Sequence, residues 1–227
     1  MTAPPTILIA GANRGIGAEF VRQFIEAGWV VHGTARDAAG LAAIAAAGAV
    51  PHRVDITDDA AIATLAAELD GVALDAVIAN SGISGDLTLA PEAITPDEML
   101  KVFDTNLFGV LLLVRALKPN LMAGERKIAM AMSSLMSSIS ANDWGTQYCY
   151  RASKTALNAS WRSLADEWRA DGIGCVLLRP GFVKTDMTNH QGMEVSDSVA
   201  GMRQVIGDLG LADSGRVIGF DGLDVPW

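Results

Sequence analysis

Short apolar runs alternate with longer segments of helical periodicity along the whole chain. Residues 6–10 are apolar and stop before a glycine, which is typical of a buried parallel strand. The next segment, at about 15–27, carries apolar residues one helical turn apart and ends at Gly28, so it predicts a helix. This strand and helix begin an α/β pattern.

The same alternation predicts six further strands and the helices between them. The later strands are expected at 30–34, 49–54, 74–79, 127–132, 174–178 and 216–220. The later helices are expected at 38–47, from a cap at Asp58 to about 69, at 96–121 and at 148–170. The pattern predicts an α/β fold, a single-domain Rossmann-like doubly wound parallel sheet of about seven strands with helices on both faces. Such sheets bind ligands at the carboxyl ends of their strands.

Composition fits this picture and excludes several classes of protein. The chain has 227 residues, 50% hydrophobic and 19% charged, which suits one globular domain over 1–227. We expect a cofactor half at about 1–120 and a catalytic and substrate half at about 121–227. A formal charge of −9 without a run of Lys and Arg argues against nucleic-acid binding.

The same composition predicts a cytoplasmic protein. The two cysteines have no metal-site spacing and are expected to be buried in a reducing compartment. No basic and then apolar leader is seen, and the most apolar stretch, 107–114, is too short to cross a membrane. The short apolar stretch also leads us to expect no membrane partner. The three histidines are scattered, so we expect no metal site.

A glycine-rich turn joins the first strand to the first helix. Residues 11–17 read Gly-Ala-Asn-Arg-Gly-Ile-Gly and open the helix directly after the apolar run. Glycines here let the backbone turn tightly and approach a pyrophosphate, which rests on the positive helix N-terminus. The turn predicts a dinucleotide site, with a merely structural turn as the alternative.

Charge indicates which nicotinamide cofactor binds. NAD sites of this kind carry an acidic residue at the end of the second strand, where this chain has Arg36. Arg36 and Arg14 are placed to pair with a 2′-phosphate, although both are surface arginines in the alternative interpretation, and Asp37 offsets part of their field. We therefore expect NADP(H) in preference to NAD(H).

Tyr150 and Lys154 lie four residues apart near the start of the helix at 148–170, so they share one face. A tyrosine is a poor base near neutrality, but a neighbouring ammonium and a positive nicotinamide ring favour its anion. A tyrosine tuned in this way can protonate a carbonyl oxygen while hydride reaches the carbon. Alone the pair is a weak motif.

Several motifs in one order make the chain resemble the short-chain dehydrogenase/reductase family over nearly its whole length. The chain is most similar to the small carbonyl reductase and C-factor-like branch. The motifs are the glycine turn, Val54-Asp55-Ile56, Ala79-Asn80-Ser81-Gly82, Thr105-Asn106, Ser133-Ser134, Tyr150 with Lys154, Arg179-Pro180-Gly181, Val183-Lys184-Thr185-Asp186-Met187 and Val225-Pro226-Trp227.

The resemblance implies roles for individual residues. Tyr150 is the acid/base, Lys154 lowers its pKa and binds the nicotinamide ribose, Ser134 orients the carbonyl, and Asn106 holds a water beside Lys154. The implied cofactor contacts are Gly11, Asn13, Arg14, Gly15, Ile16, Gly17, Arg36, Asp55, Ile56, Asn80, Ser81, Gly82, Tyr150, Lys154, Pro180, Gly181, Val183 and Thr185.

Two alternatives compete with these assignments. Ser137 stands thirteen residues before the tyrosine, which is the common family spacing, but Ser134 is preferred because it directly follows the strand. Tyr148 lies two residues from Tyr150 and therefore points elsewhere on the helix.

Substrate identity is not readable from the sequence. An apolar pocket wall is considered for Trp144, Tyr148, Phe182, Met187, Met193 and Met202, with a role in the core as the alternative. The segment 188–198 is expected to be a mobile substrate lid. The helices near 107–117 and 156–168 resemble the family's dimer surface, so a homodimer or homotetramer is expected, with a monomer as the alternative.

The function predicted from these residues is NADP(H)-dependent reduction of a ketone, aldehyde or quinone to an alcohol. One alternative is an NADP(H)-binding sensor on the same fold, and another is an alcohol dehydrogenase working in the oxidising direction.

Overall fold

A seven-stranded parallel sheet forms the centre of the protein in a computed structural model that describes residues 3–227. The strand order is β3-β2-β1-β4-β5-β6-β7, and every neighbouring pair is parallel. The strands are β1 (Thr6–Ala10), β2 (Val30–Ala35), β3 (Val50–Arg53), β4 (Ala76–Ala79), β5 (Ile128–Met132), β6 (Gly174–Arg179) and β7 (Val217–Gly219). The predicted fold class is confirmed.

Helices cover both faces of the sheet. They are α1 (Gly15–Glu26), α2 (Ala38–Ala46), α3 (Asp59–Glu68), α4 (Pro96–Phe103), α5 (Val110–Ala116), α6 (Lys118–Ala123), α7 (Tyr148–Glu167) and α8 (Val195–Asp208). Asp58 caps α3 as predicted, because its carboxylate accepts hydrogen bonds from Ala60 N–H and Ala61 N–H. Within residues 3–227, no helix is both long and apolar enough to pass through a lipid bilayer.

The apolar strands divide the core into two layers. Ile7 and Ile9 of β1 face one layer together with Phe20 and Phe24 of α1. The alternate residues of β1 and β4 face the other layer, which contains Trp161 of α7. Each large apolar side chain buried in this way stabilises the fold by roughly 1.5–3 kcal/mol. This two-sided burial explains why the central strands β1, β4 and β5 are apolar runs without alternation.

The predicted single helix at 96–121 is wrong. Between α4 and α5 the chain forms a π-helical segment, Asp104–Gly109, and α6 is a separate helix. The π turn brings Asn106 inward, and a Cβ atom on Gly109 would lie 2.4 Å from the Ile56 carbonyl oxygen. Tertiary contacts of this kind override the apolar periodicity from which one continuous helix was predicted.

Candidate active site

A cavity of about 950 Å³ lies at the carboxyl ends of the strands. Thirteen of the predicted cofactor contacts line it: Gly11, Asn13, Arg14, Gly15, Ile16, Arg36, Asp55, Ile56, Asn80, Ser81, Gly82, Pro180 and Thr185. Tyr150 and Lys154 line it as well. The predicted residues that lie outside its lining are Gly17, Asn106, Ser134, Gly181 and Val183.

Two glycines shape the turn at the floor of this cavity, residues 11–17, called here the glycine turn. Gly11 has φ +69°, a conformation that other residues rarely adopt. A Cβ atom on Gly17 would lie only 2.0 Å from the Gly11 carbonyl oxygen, so the first turn of α1 packs directly on the glycine turn. Asn80 reinforces this approach, because its Nδ2 donates to the same oxygen at 3.0 Å.

This geometry fits a dinucleotide. The closely packed turn leaves its own backbone and the N-terminus of α1 facing the cavity, where a pyrophosphate binds favourably. Gly17 contributes through packing beneath the turn, which is why it does not line the cavity. One supporting residue escaped the sequence reasoning: Thr34 Oγ1 accepts from Gly11 N–H at 3.2 Å. The sequence signal for such a supporting residue is a hydroxyl side chain near the end of the second strand, next to a glycine turn.

The two arginines expected at a 2′-phosphate both line the cavity, and each has an acidic neighbour. Arg14 forms an ion pair with Asp186, and Arg36 lies 3.9 Å from the carboxylate of Asp55. Asp37 is engaged elsewhere, because its carboxylate accepts from Gly40 N–H at 2.7 Å and caps α2. Both guanidinium groups remain largely exposed, so a phosphate can reach them.

The carboxyl of Asp55 stays ionised at this edge. Its burial opposes ionisation, but hydrogen bonds from the Thr57 N–H and hydroxyl, with the charge of Arg36, bring its pKa below the ordinary value.

Lys154 is buried beside Tyr150. Its Nζ lies 5.8 Å from the Tyr150 ring centroid and donates to the Met132 carbonyl oxygen at 2.8 Å. Burial lowers the pKa of Lys154 to about 8. For Tyr150, burial raises the pKa, and the neighbouring Ser134 hydroxyl acts in the opposite direction. The lowering of the tyrosine pKa by the ammonium together with a positive nicotinamide ring stays a prediction.

The two candidate serines occupy different environments. Ser134 is partly exposed, accepts from Met136 N–H at 3.1 Å and meets the Tyr150 hydroxyl. Ser137 is only 2% exposed, and its hydroxyl donates to the Ser134 carbonyl at 2.6 Å and accepts from Asn158 Nδ2 at 2.8 Å. Ser134 thus lies beside Tyr150, whereas Ser137 belongs to a buried network of hydrogen bonds.

The side chain of Asn106 is fully engaged inside the protein. Its Oδ1 accepts from Ile83 N–H at 2.9 Å, and its Nδ2 donates to the Ile83 carbonyl and to Ser153 Oγ. A Cβ atom on Gly82 would lie 3.3 Å from Asn106 Oδ1 and 3.6 Å from Lys154 Nζ. Asn106 therefore supports the cavity wall beside Lys154, and both of its amide protons are already used.

The segment between β6 and α8 closes one side of the cavity. The residues of it that line the cavity, apart from Pro180, are Lys184, Thr185, Asp186, Met187 and His190. Helix α8 begins at Val195, so the last four residues of the predicted lid at 188–198 are helical, and the role of the rest as a mobile lid stays a prediction. The methyl group of Thr185 in this segment lies 3.5 Å from the position of a Cβ atom on Gly15, so the segment packs close to the glycine turn.

Of the six residues predicted for an apolar pocket wall, Met187 alone lines the cavity. Four of the six predicted pocket-wall residues are well exposed: Trp144, Tyr148, Phe182 and Met187. Met193 is partly exposed, whereas Met202 is fully buried in the core beneath α8, so it is excluded from the pocket wall. The Trp144 ring stacks on the guanidinium of Arg151 at 4.4 Å.

Known proteins share this sequence and arrangement. A family model described as short chain dehydrogenase matches residues 5–195. The chain belongs to the short-chain dehydrogenase family. The resemblance stated from the ordered motifs is confirmed, and with it the membership of a family of oxidoreductases.

Three relatives of this short-chain dehydrogenase illustrate its range. The C-signal of Myxococcus xanthus is 38% identical over 155 residues, 68% of this chain and 93% of that protein. A 1-hydroxy-2-glutathionyl-2-methyl-3-butene dehydrogenase of Rhodococcus sp. (strain AD45) is 31% identical over 98% of this chain and 99% of its own length. The NADPH-bound carbonyl reductase from chicken fatty liver is 30% identical, with a TM-score of 0.90 and full coverage of both chains.

Proposed function

We propose that the protein reduces a carbonyl compound to an alcohol with NADPH, and that Tyr150 donates the proton. The observation that carries this proposal is the meeting of Ser134, Tyr150 and Lys154 beside a cavity whose floor is the glycine turn. A protein that only binds a cofactor has no need of a buried lysine and a serine hydroxyl beside a tyrosine that lines the cavity.

The chain's own residues suit each part of this reaction. Bound NADPH supplies a hydride to the carbonyl carbon, which leaves negative charge on the carbonyl oxygen. The Ser134 hydroxyl donates a hydrogen bond to that oxygen, and Tyr150 transfers its phenolic proton to it. Lys154 holds positive charge near the phenolate that remains, fixed in place by the Met132 carbonyl.

Replacement of Tyr150 by Phe tests the proposal. We expect the rate of NADPH oxidation with a reducible ketone, aldehyde or quinone to fall by about 10³-fold, since general acid catalysis contributes roughly 10²–10⁴. The dissociation constant for NADPH should stay within about twofold. Tyr148→Phe is the matched control, because that tyrosine is exposed two residues away and should keep full activity. Equal activity of Tyr150→Phe and wild type would refute the assignment.

Arg36 provides the test of cofactor preference. We expect Arg36→Ala to weaken NADPH binding by about ten- to a hundredfold, because a charge-assisted contact to the 2′-phosphate is lost. NADH affinity should change by less than twofold, since NADH has no such phosphate. Titration of both nucleotides by fluorescence measures the two constants. An equal loss for NADPH and NADH would argue against a phosphate contact.

A second candidate function follows from the similarity to C-signal. In it, the chain binds NADP(H) and acts as a sensor, and turnover is not its role. The variant Tyr150→Phe separates the two candidates, because a sensor keeps its biological output when the proton donor is removed. The similarity to a dehydrogenase likewise leaves oxidation of an alcohol as the reverse use of the same residues.

We also propose a cytoplasmic homodimer or homotetramer of single-domain subunits. The buried free cysteines suit a reducing compartment. Phe108, which is 46% exposed beside α5, adds apolar surface near the helices that resemble the family's dimer surface. Light scattering of the purified protein measures its oligomeric state directly.

A further inference from the structure

The last residues of the sequence are attached to the edge of the sheet. Residues 221–227, called here the tail, follow β7 through a tight turn in which Gly219 N–H donates to the Leu223 carbonyl at 2.8 Å. Val225 N–H donates to the Val217 carbonyl at 2.8 Å, and its side chain is buried in the core. The tail is therefore a fixed part of the fold.

The tail ends on the segment between β5 and α7, residues 133–147, called here the β5–α7 segment. The main-chain carbonyl oxygen of Trp227 accepts from Ser140 N–H at 3.0 Å and from Ser140 Oγ at 2.5 Å. Ser138 Oγ donates to the same oxygen at 3.3 Å. Three donors on one acceptor fasten this part of the β5–α7 segment to the tail.

The fastened segment connects the two reactive groups. It carries Ser134 near its start and leads into the first turn of α7, where Tyr150 lies. Helix α7 holds the segment at two other places, since Thr155 Oγ1 donates to the Ser137 carbonyl and Arg151 Nε donates to the Gly145 carbonyl. The tail therefore provides the attachment between these two points.

Apolar surface is exposed at the same place. Ile139 stands between the two serines that bind Trp227 and is 74% exposed, and the Trp227 side chain is 50% exposed. A neutral apolar face of a substrate removes the surface of Ile139 and Trp227 from water, whereas a charged group placed against them would have to give up its hydration.

We propose that Trp227 is a positioning and specificity residue of the reductase. Its carbonyl holds the β5–α7 segment in place for Ser134, and its indole forms, with Ile139, an apolar wall for uncharged aryl ketones or quinones. The specificity role rests on the proposed function, because it needs a carbonyl substrate. The positioning role rests on the hydrogen bonds of Trp227 alone. The wall adds Trp227 to the apolar residues that the sequence suggested.

Steady-state kinetics test the wall. We expect Trp227→Ala, which keeps the carbonyl, to raise KM for a neutral aryl ketone about five- to tenfold, the range of one aromatic contact. KM for a small aliphatic aldehyde and the NADPH dissociation constant should stay within twofold. Leu223→Ala is the control, because that side chain is exposed on the same tail and leaves the contacts of Trp227 intact. Equal changes of KM for both substrates would overturn the specificity role.

Amide hydrogen exchange tests the positioning without any turnover. In a variant that lacks Trp227, exchange within 138–147 should become at least tenfold faster than in wild type, with the strands of the sheet unchanged. Ser140→Ala should give a smaller increase in the same peptides. An unchanged exchange rate in 138–147 would overturn the positioning role. If wild type binds NADPH but reduces no carbonyl compound, the proposed function fails, and the exchange result still decides the role of the tail.

Discussion

The glycine turn and the β5–α7 segment build the same cavity by different means. At the glycine turn, the shape comes from missing side chains: Gly11 and Gly17 let two backbones meet where a Cβ atom would overlap. In the β5–α7 segment and the helix that follows, the shape comes from buried polar side chains that bond one another, such as Ser137 with Asn158. Added atoms therefore disrupt the packing of the glycine turn, whereas the removal of hydrogen-bonding atoms disrupts the β5–α7 segment.

This difference separates binding from chemistry. The glycine turn presents backbone to a phosphate and needs close packing beneath it. The reactive side chains need fixed positions in a buried environment, and each buried polar group requires its own partner. Substitutions in the glycine turn should therefore lower cofactor affinity together with stability. Substitutions of the polar side chains should change either the rate or the stability.

The largest effect is expected at the glycine turn. Gly17→Ala places a methyl group 2.0 Å from the Gly11 carbonyl oxygen, which backbone cannot easily avoid. We expect the free energy of unfolding to fall by about 3 kcal/mol or more and NADPH affinity to fall at least tenfold. Denaturant titration and fluorescence binding measure the two effects. Gly207→Ala is the control, because that helical glycine has open space around it and should be neutral or slightly stabilising.

The buried ammonium of Lys154 should lower the stability of the folded protein although activity requires it. Its pKa of about 8 lies below the value of about 10.4 in the unfolded chain, so the unfolded state binds more protons between these pH values. Below pH 8 the folded protein therefore bears the full cost of burying the ammonium, and stability rises with pH from about 8 to 10.4. That lowering of the pKa corresponds to a cost of roughly 3 kcal/mol in the free energy of folding. The hydrogen bond from Lys154 to the Met132 carbonyl offsets about 1 kcal/mol of this cost.

We therefore expect Lys154→Met to be inactive but about 2 kcal/mol more stable than wild type at pH 7. The gain should vanish by about pH 10.5. Chemical denaturation at pH 7 and pH 10 measures it, with the exposed Lys101→Met as the control. A variant that is less stable at pH 7 would show that the ammonium stabilises the fold.

The smallest effects separate the two serines. Ser134→Ala should lower kcat by about 10²-fold with little loss of stability, because its hydroxyl faces Tyr150. Ser137→Ala should keep most of the activity and lose about 1–3 kcal/mol of stability, because Asn158 is left with an unmet donor. Paired kinetics and denaturation of both variants decide which serine acts on substrate. The reverse outcome would assign the catalytic role to Ser137.

Much of the fold was predictable because the central strands β1, β4 and β5 are apolar runs with a glycine or polar boundary. The prediction for β1 at 6–10 matches the strand Thr6–Ala10 residue for residue. The π turn at Asp104–Gly109 was not predictable, since its cause lies in the approach of Gly109 to Ile56, fifty residues earlier in the chain. Single-sequence periodicity carries no information on such contacts.

The predictability of the site followed the same division. Motifs identified the backbone-built part, and most of the predicted cofactor contacts line the cavity. The partners of the arginines were missed, because the pairing of Arg14 with Asp186 joins two loops that only the fold brings together. For Met202 the structure selects the core over the pocket wall, a choice that the sequence left open because a methionine has the same sequence signal in both places.

The central place of β1 has a consequence for the making of the protein. β1 pairs with β2 on one edge and with β4 on the other, and β4 follows it by roughly 70 residues. At about 5–20 residues per second, a ribosome needs roughly 3–14 s to deliver that second partner. During this interval one edge of β1 is unpaired and can pair with other chains. Its apolar residues, which are fully buried in the folded protein, are then not yet covered. We expect the yield of folded protein in cells to depend on chaperone protection of this nascent strand.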